Sequence, residues 1–453
     1  MQDSILKDKE FIKNTGKLFG SSFVSQLIPF IILPFLTRIF SPEDFGFWAY
    51  FLSLSGILSI LMTGNYEFAI VLPKEKKEAI NVTVASIFLT LSLFLLSIII
   101  LPFFSKIILK GAEINFHNLS FTFWICIMAL FMALFRIMNY WNNSNNRFHT
   151  TAYGNIARSS SVSLLQLLNG LFILKNYSGL IISSIFGYFF GTIVQSKDFI
   201  KNTYKHKNDI SFNSVKDNLK RYKNFPKYFM PSEFLNNLSS NIPVIFLTNM
   251  FDSAASGLYA IPQKFINAPL TLLGSSISQA YYKKSTDLKN NNEDLSRITT
   301  EIYKKLFMLG IIPLSIVSGY GDYIFELFLG EKWAISGLYA SLLAPWMLMV
   351  FAASPISIVF ATLEKQKISL KLNSFLLIIR VLSFVIGGII FKSAFIAILL
   401  YGISGFVYWL YFSFFVIKIA GGDKIGIKKF ALLRLSLIML PIILSRMVLK
   451  CLI

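Results

Sequence analysis

The feature that most constrains the fold of this chain is a series of apolar runs, each about 20 residues long. A helix of that length rises about 30 Å, which matches the hydrocarbon core of a bilayer. Hydrophobic residues make up 55% of the 453 residues, whereas charged residues make up only 15%. A soluble protein with this balance could not cover its surface with polar groups. The sequence therefore predicts an all-α polytopic membrane protein.

Thirteen apolar runs are candidates for membrane-spanning helices. The fifth has the most polar beginning because Arg158 and a run of serines fall in its first turns. The thirteenth lies outside the pattern formed by the other twelve and is interpreted as an appendage. The predicted spans are 17–40, 45–64, 80–104, 119–140, 155–174, 178–196, 229–250, 256–281, 303–325, 337–361, 367–391, 394–417 and 430–449.

Lysine and arginine are distributed unevenly between the two sides of these spans. With the N-terminus in the cytoplasm, 31 of the 43 Lys and Arg residues fall on the cytoplasmic side and 8 on the opposite side. Cytoplasmic loops of membrane proteins carry such an excess. The distribution predicts a cytoplasmic N-terminus. It also accounts for most of the net charge of +20 without a nucleic-acid partner.

An internal repeat divides the chain into two halves. The segment 35–49 matches the segment 246–260 at six positions (Phe, Leu, Thr, Phe, Gly and Ala) with one offset of 211 residues. This offset carries the spans of the first half onto spans of the second. Because each half has six spans, both halves should have the same orientation, as in two lobes that work by alternating access. We predict an N-terminal lobe at 1–196, a basic cytoplasmic linker at 197–228, a C-terminal lobe at 229–417 and an appended helix at 418–453.

Residues typical of enzyme or metal sites are few. The two cysteines, Cys126 and Cys451, provide no disulfide framework, and the three histidines lie in unrelated segments. The loops are short, and the longest, 197–228, is a basic connector without a catalytic motif. We therefore expect a protein that is not an enzyme and that needs no cofactor and no metal ion.

Cations inside the spans are the main candidates for a functional site. Arg136, Lys264 and Arg380 lie within predicted spans, where a charge is costly and usually functional. Three cations in the region between two lobes would favour an anionic substrate in a low-dielectric cavity. For Arg136 the alternative is a side chain that reaches the cytoplasmic headgroups.

A second group of polar residues is expected to line the cavity or to couple transport to an ion. One member follows the second span, and the others lie at the start of the seventh span, where the alternative is a helix end in the headgroup region. The group consists of Glu67, Glu233, Asn236, Asn237 and Asn241.

Two N-terminal motifs resemble a known family. The segments 38–46 (RIFSPEDFG) and 63–73 (TGNYEFAIVLP) are similar to the signature of Wzx-type polysaccharide-biosynthesis flippases. Their superfamily also contains the lipid II flippase and the multidrug and toxin extruders. Shorter similarities occur at 225–228, 230–233 and 330–333. Such families commonly have arginine where this chain has Asn65 and Lys264, and asparagine removes the charge that a phosphate clamp would need.

The resemblance implies a MATE-like fold and a specific function. The implied substrate is an undecaprenyl-diphosphate-linked oligosaccharide, which would move from the cytoplasmic to the outer leaflet of the bacterial inner membrane. The product would be a surface polysaccharide such as the O-antigen of lipopolysaccharide, and a polysaccharide polymerase is the implied partner protein. On this reading Arg136, Lys264 and Arg380 bind the diphosphate.

Two alternatives remain open at this stage. A multidrug cation extruder would need buried carboxylates, whereas the cations in these spans outnumber central acids. An integral membrane glycosyltransferase or polysaccharide polymerase would be expected to carry catalytic residues on a large outer loop. The longest predicted outer loop runs only from about 105 to 118.

Overall fold

A computed structural model describes residues 25–73, 75–105, 118–206, 212–363 and 365–452 of the chain. Within these ranges every regular element is helical. Nine helices of the described part are long and apolar enough to cross a membrane. The prediction of an all-α multi-pass membrane protein is therefore confirmed.

Fifteen helices organise the described residues, and each of the thirteen predicted spans overlaps at least one of them. The first six are α1 Ser25–Ile39, α2 Pro42–Thr63, α3 Lys76–Ile100, α4 Asn118–Ser144, α5 Phe148–Leu168 and α6 Tyr177–Lys205. The next five are α7 Phe212–Arg221, α8 Met230–Met250, α9 Ser253–Asn290, α10 Ser296–Leu329 and α11 Ala334–Ala353, which helical turns extend to Thr362. The last four are α12 Gln366–Val385, α13 Ala394–Ile419, α14 Lys424–Arg434 and α15 Leu440–Leu452.

Two boundaries differ from the predicted ones. Helix α5 begins at Phe148 rather than near residue 155, and one side of its first turns, with Thr151, Ala152 and Gly154 buried, packs against α6. A side chain at Gly154 would overlap Gln195, so these two helices approach closely there. Arg158 consequently lies well inside a helix instead of at its entry. The predicted linker at 197–228 is also largely helical, since it contains the end of α6 and all of α7.

The contacts divide the chain into two compact units that meet in sequence at Ser256 and Gly257. The first unit includes α8, which packs against α2 through a hydrogen bond from Asn249 Nδ2 to Tyr50 Oη of 3.2 Å. The second unit begins within α9 and continues to the C-terminus. The lobe boundaries at 196, 228 and 417 remain predictions.

Two local features recur along the chain. Ser41 caps the start of α2 and Asp252 caps the start of α9, each accepting a hydrogen bond from the backbone N–H three residues later. The spacing between these caps equals the offset of the sequence repeat. A π-helical turn follows α5 at Asn169–Ile173 and α12 at Ile386–Ile390, and in both places three residues separate it from the next helix. This local recurrence supports a duplication, while the arrangement as two lobes stays a prediction.

The C-terminal helix runs alongside α10 within the second unit. Helices α14 and α15 form one continuous helix, because a π-helical turn at Leu435–Met439 joins them. Its contacts with α10, in order along the chain, are Phe430 with Phe307, Ile442 with Gly319, and Arg446 with Asp322. The residue numbers of the contacts increase along both helices, so the two helices are parallel over about 24 Å. Since α10 is long and apolar enough to cross a membrane, the C-terminal helix should cross with it.

We therefore predict that the C-terminus lies on the opposite side of the membrane from the loop that precedes α14. Reporter fusions at Gly422 and after the last residue test this. A fluorescent protein that matures in the cytoplasm should work only at Gly422, and an alkaline phosphatase that folds outside should work only at the C-terminus. Cytoplasmic fluorescence at both positions would instead place the helix along the inner face.

Candidate functional site

A tight turn at the end of α2 creates the first part of the site. Gly64 and Asn65 both adopt left-handed backbone conformations, with φ values of 54° and 59°. Glycine and asparagine tolerate this conformation best. Thr63 Oγ1 accepts a hydrogen bond of 3.2 Å from the Asn65 N–H, and a 3₁₀ turn at Tyr66–Val71 follows. The turn directs Glu67 into the first unit, and it also buries Asn65 completely.

Glu67 and Arg136 form an ion pair inside the first unit. The Glu67 side chain is 0% exposed, and its Oε1 lies 2.9 Å from Arg136 Nε, whose side chain is 28% exposed. Arg136 Nη2 also donates a hydrogen bond of 3.4 Å to Thr63 Oγ1. From the sequence, Arg136 was expected to be a cation without enough acids to pair it, and the structure gives it a carboxylate partner. The pairing was not foreseeable, because the two residues are far apart in the chain and only the left-handed turn brings them together.

Burial perturbs the Glu67 carboxyl. Loss of hydration raises the pKa of Glu67 above its ordinary value, and the Arg136 guanidinium opposes this rise. The nearby carboxylate of Glu233 adds to the rise in the pKa. Two carboxyl groups and one guanidinium are thus close enough to influence one another. In the ranges that the structure describes, no group of three or more His, Cys, Asp or Glu side chains could hold a metal ion.

Aromatic rings hold three elements together around this pair. The Phe68 ring lies 4.8 Å from Tyr140, one turn after Arg136 on α4. On its other side Phe68 meets Phe229, just before α8, in an edge contact of 4.7 Å. The end of α2, the last turns of α4 and the start of α8 therefore converge on Glu67.

The predicted polar residues of α8 do not form one uniform face. Asn241 Nδ2 donates hydrogen bonds of 3.0 Å to Asn237 Oδ1 and of 2.9 Å to the Asn237 carbonyl. Asn237 faces α2, because its Oδ1 lies 4.0 Å from the place where a Cβ of Gly56 would stand. Asn236 is exposed and Glu233 is half-buried. Their role in lining a cavity stays a prediction.

The other two predicted cations lie in the second unit. Arg380 is half-buried on α12, and its Cζ lies 5.8 Å from the Trp346 ring and 5.9 Å from the Tyr401 ring. Lys264 is exposed on α9. The aromatic contacts orient the Arg380 guanidinium, and a role of either residue in binding the substrate stays a prediction.

Arg158 is a candidate cation that was missed from the sequence. It is half-buried on α5, with its Cζ 4.9 Å from the Tyr188 ring and 5.4 Å from the Phe135 ring. The span was predicted to begin at residue 155, which put Arg158 at the membrane surface. A helix that starts at Phe148 carries it ten residues inward. The sequence does contain a sign of the earlier helix start, because the segment 148–154 has no proline and can form a helix.

The pKa shift of Glu67 predicts a pH dependence of stability. Since the fold favours the protonated carboxyl, the stability from this group is complete below the unfolded pKa of about 4.3 and is lost as pH rises through the raised folded pKa. The melting temperature of Glu67→Gln should lack this decline, because its amide does not titrate. Glu301→Gln, at a side chain 51% exposed, is the control for loss of a surface carboxylate. Identical profiles for wild type and Glu67→Gln would contradict the prediction.

The fold is shared with solved membrane transport proteins. The lipid II flippase MurJ in an inward closed conformation superposes with a TM-score of 0.69 at 17% identity, over 97% of this chain and 96% of that chain. An inward-facing multidrug resistance MATE family transporter of the MOP superfamily gives 0.59 at 15% identity, over 89% and 94%. A MOP superfamily transporter from Pyrococcus furiosus gives 0.57 at 13% identity, over 90% and 96%. At these identities the likeness shows the fold, and the predicted MATE-like class is confirmed.

The sequence itself identifies the family. No curated protein matches the chain. The sequence pattern of the family described as "Polysaccharide biosynthesis protein" matches residues 11–282, which is more than half of the chain. This match includes both N-terminal motifs and the turn that carries Glu67. The chain therefore belongs to the family of polysaccharide biosynthesis proteins.

Proposed function

We propose that this protein is a flippase for undecaprenyl-diphosphate-linked oligosaccharides, which it moves from the cytoplasmic to the outer leaflet of a bacterial inner membrane. Its family supports a role in polysaccharide biosynthesis, and the fold that it shares with a lipid II flippase supports transport of a lipid-linked substrate. The excess of Lys and Arg on one side supports a cytoplasmic N-terminus. The product would enter a surface polysaccharide such as O-antigen, with a polymerase as partner. The proposal involves no covalent chemistry and no cofactor.

The observation that carries the proposal is the presence of cations on the membrane helices of both units. Arg136 and Arg380 are partly buried on candidate membrane spans, where a positive charge is poorly hydrated, and Lys264 is exposed on α9. A diphosphate group supplies the charge complementary to these three cations. The planar guanidinium groups of Arg136 and Arg380 can bind phosphate oxygens in a bidentate manner. We expect the headgroup and sugars to pass between two lobes while the lipid tail stays in the bilayer.

The Glu67–Arg136 pair suggests how substrate binding is coupled to a proton. A diphosphate that binds Arg136 must compete with the Glu67 carboxylate, which lies 2.9 Å from it. A proton on Glu67 removes this competitor, and burial already favours the protonated form by raising the pKa. Binding of the anion and protonation of Glu67 then support each other by linkage. Glu233 and the asparagines of α8 would line the same region.

Deletion and complementation of the gene test the proposed function. A strain without the gene should lose surface polysaccharide and should accumulate lipid-linked repeat units on the cytoplasmic side of the membrane. A plasmid copy should restore both, and efflux of cationic dyes should be the same in all strains. Normal polysaccharide together with increased retention of cationic dye in the deletion strain would contradict the proposal and would favour the drug-extruder alternative.

A further inference from the structure

The described residues of each unit contain the same three-residue arrangement. In the first unit Arg158 on α5 packs against Phe135 from α4 and Tyr188 from α6. In the second unit Arg380 on α12 packs against one ring from α11 and one from α13, those of Trp346 and Tyr401. In both, an arginine of the fifth predicted span of its half meets aromatic rings of the fourth and sixth spans.

The rings also have the same geometry in the two places. Phe135 and Tyr188 meet edge to face at 5.5 Å with an interplanar angle of 75°. Trp346 and Tyr401 meet edge to face at 4.9 Å and 81°. An arginine over two such rings gains cation–π attraction and loses side-chain freedom. The arrangement therefore fixes where each guanidinium points.

The depth of the two arginines along their helices differs. Arg158 precedes the π-helical turn that starts at Asn169 by about three helical turns, whereas Arg380 precedes the one that starts at Ile386 by fewer than two. This difference corresponds to about 7.5 Å of helix. Both arginines nevertheless lie near the middle of their candidate spans, Phe148–Ile173 and Lys367–Ile390, where exposure of a guanidinium to lipid is most costly.

Arg158 has unused hydrogen-bond donors. Two other arginines of the first unit have carboxylate partners, since Arg136 pairs with Glu67 and Arg147 with Asp198. Among the described residues, by contrast, no carboxylate lies within ion-pair distance of Arg158, and its buried Nε–H has no acceptor. The Nε–H is therefore a buried donor that the described residues leave unused.

We infer that Arg158, positioned by Phe135 and Tyr188, is an anion-binding residue of the first unit that receives a phosphate group of the lipid-linked substrate. This inference rests on the proposed function for the identity of the substrate. A guanidinium with free donors in the middle of a span is stabilised by an anion that arrives there, because a low dielectric strengthens the attraction. Arg158 would thus be a binding residue in addition to the proposed Arg136, Lys264 and Arg380.

Chemical footprinting of the wild-type protein tests the inference without any change to the fold. The protein in phosphatidylcholine nanodiscs is treated with phenylglyoxal, which modifies arginine, and each site is quantified by mass spectrometry. Geranyl diphosphate should slow modification of Arg158, whereas neutral geraniol should not. Arg434, which contacts the single ring of Phe430, is the matched control and should react equally in all samples. Lack of protection of Arg158 by geranyl diphosphate would overturn the inference.

Two further samples define the ligand and the energetics. Protection that appears only in nanodiscs with phosphatidylglycerol would show that a phospholipid headgroup occupies the site, and this too would overturn the inference.

The affinity of Arg158→Gln for geranyl diphosphate should be lower than that of the wild type by a factor of about 10 or more, whereas Arg434→Gln should bind it as the wild type does. If the protein flips no oligosaccharide but geranyl diphosphate still protects Arg158, the proposed function fails and the anion site stands.

Discussion

Surface polysaccharide is expected to fall by about 10-fold or more when Arg136 or Arg380 is replaced by glutamine. Each change would remove the proposed charge-assisted contact with the substrate diphosphate, and such contacts are worth about 1.5–3 kcal/mol. Lys264→Gln should have an effect in the same direction. The measurement is polysaccharide export in a deletion strain, normalised to the amount of protein in the membrane.

Two further variants are controls, one for the positive charge itself and one for its position in the protein. Lys264→Arg keeps the positive charge and should keep export close to the wild-type level. Arg434→Gln removes an arginine that packs on a ring outside the proposed site and should also export normally. Normal export by the glutamine variants of Arg136, Lys264 and Arg380 would exclude the diphosphate role of these cations, and the family assignment would be unaffected.

Replacement of Gly46 by alanine is expected to destabilise the first unit strongly. A Cβ at Gly46 would overlap the Ser253 carbonyl and would lie 2.7 Å from Ser256 Oγ, so the start of α2 contacts the start of α9 directly. Backbone cannot move aside as a flexible side chain can, and overpacking of this kind typically costs about 1–3 kcal/mol or more. We expect a loss of several degrees in melting temperature, measured in detergent by fluorescence-detected size-exclusion chromatography after heating.

A glycine on the same helix provides the matched control. A Cβ at Gly56 would meet only Asn237 Oδ1, at an ordinary contact distance of 4.0 Å. Gly56→Ala should therefore be neutral or slightly stabilising, since alanine favours the helix more than glycine does. Equal stability of the two alanine variants would contradict the close packing at Gly46.

The membrane helices could be predicted from the sequence because hydropathy is a local property. In a bilayer an apolar run of about 20 residues is most stable as a membrane-spanning helix, and this preference does not depend on the rest of the chain. Helix ends are less local: the polar residues 148–154 are helical because α6 packs against them, and no apolar signal marks them. The position of Arg158 was misjudged for this reason.

The sequence predicted several residues of the candidate site but not the contacts between them. Glu67 is a candidate from the sequence because it follows the second predicted span, and Arg136 because it is a cation within the fourth. Their ion pair depends on two successive left-handed residues, Gly64 and Asn65, whose effect on the chain direction cannot be seen in the apolar pattern. Likewise, the aromatic contacts of Arg380 join α11, α12 and α13, which are distant in sequence. Such contacts follow from helix packing and not from spacing.

Reconstitution of the purified protein tests the flippase proposal most directly. Liposomes that contain undecaprenyl-diphosphate-linked oligosaccharide in both leaflets are treated from outside with a pyrophosphatase too large to cross the bilayer. Without protein, cleavage should stop once the outer-leaflet pool is consumed. With the protein, cleavage should continue until nearly all of the lipid is consumed, because the inner pool is moved outward. Equal cleavage in liposomes with and without the protein, shown to be folded and inserted, would contradict the proposal.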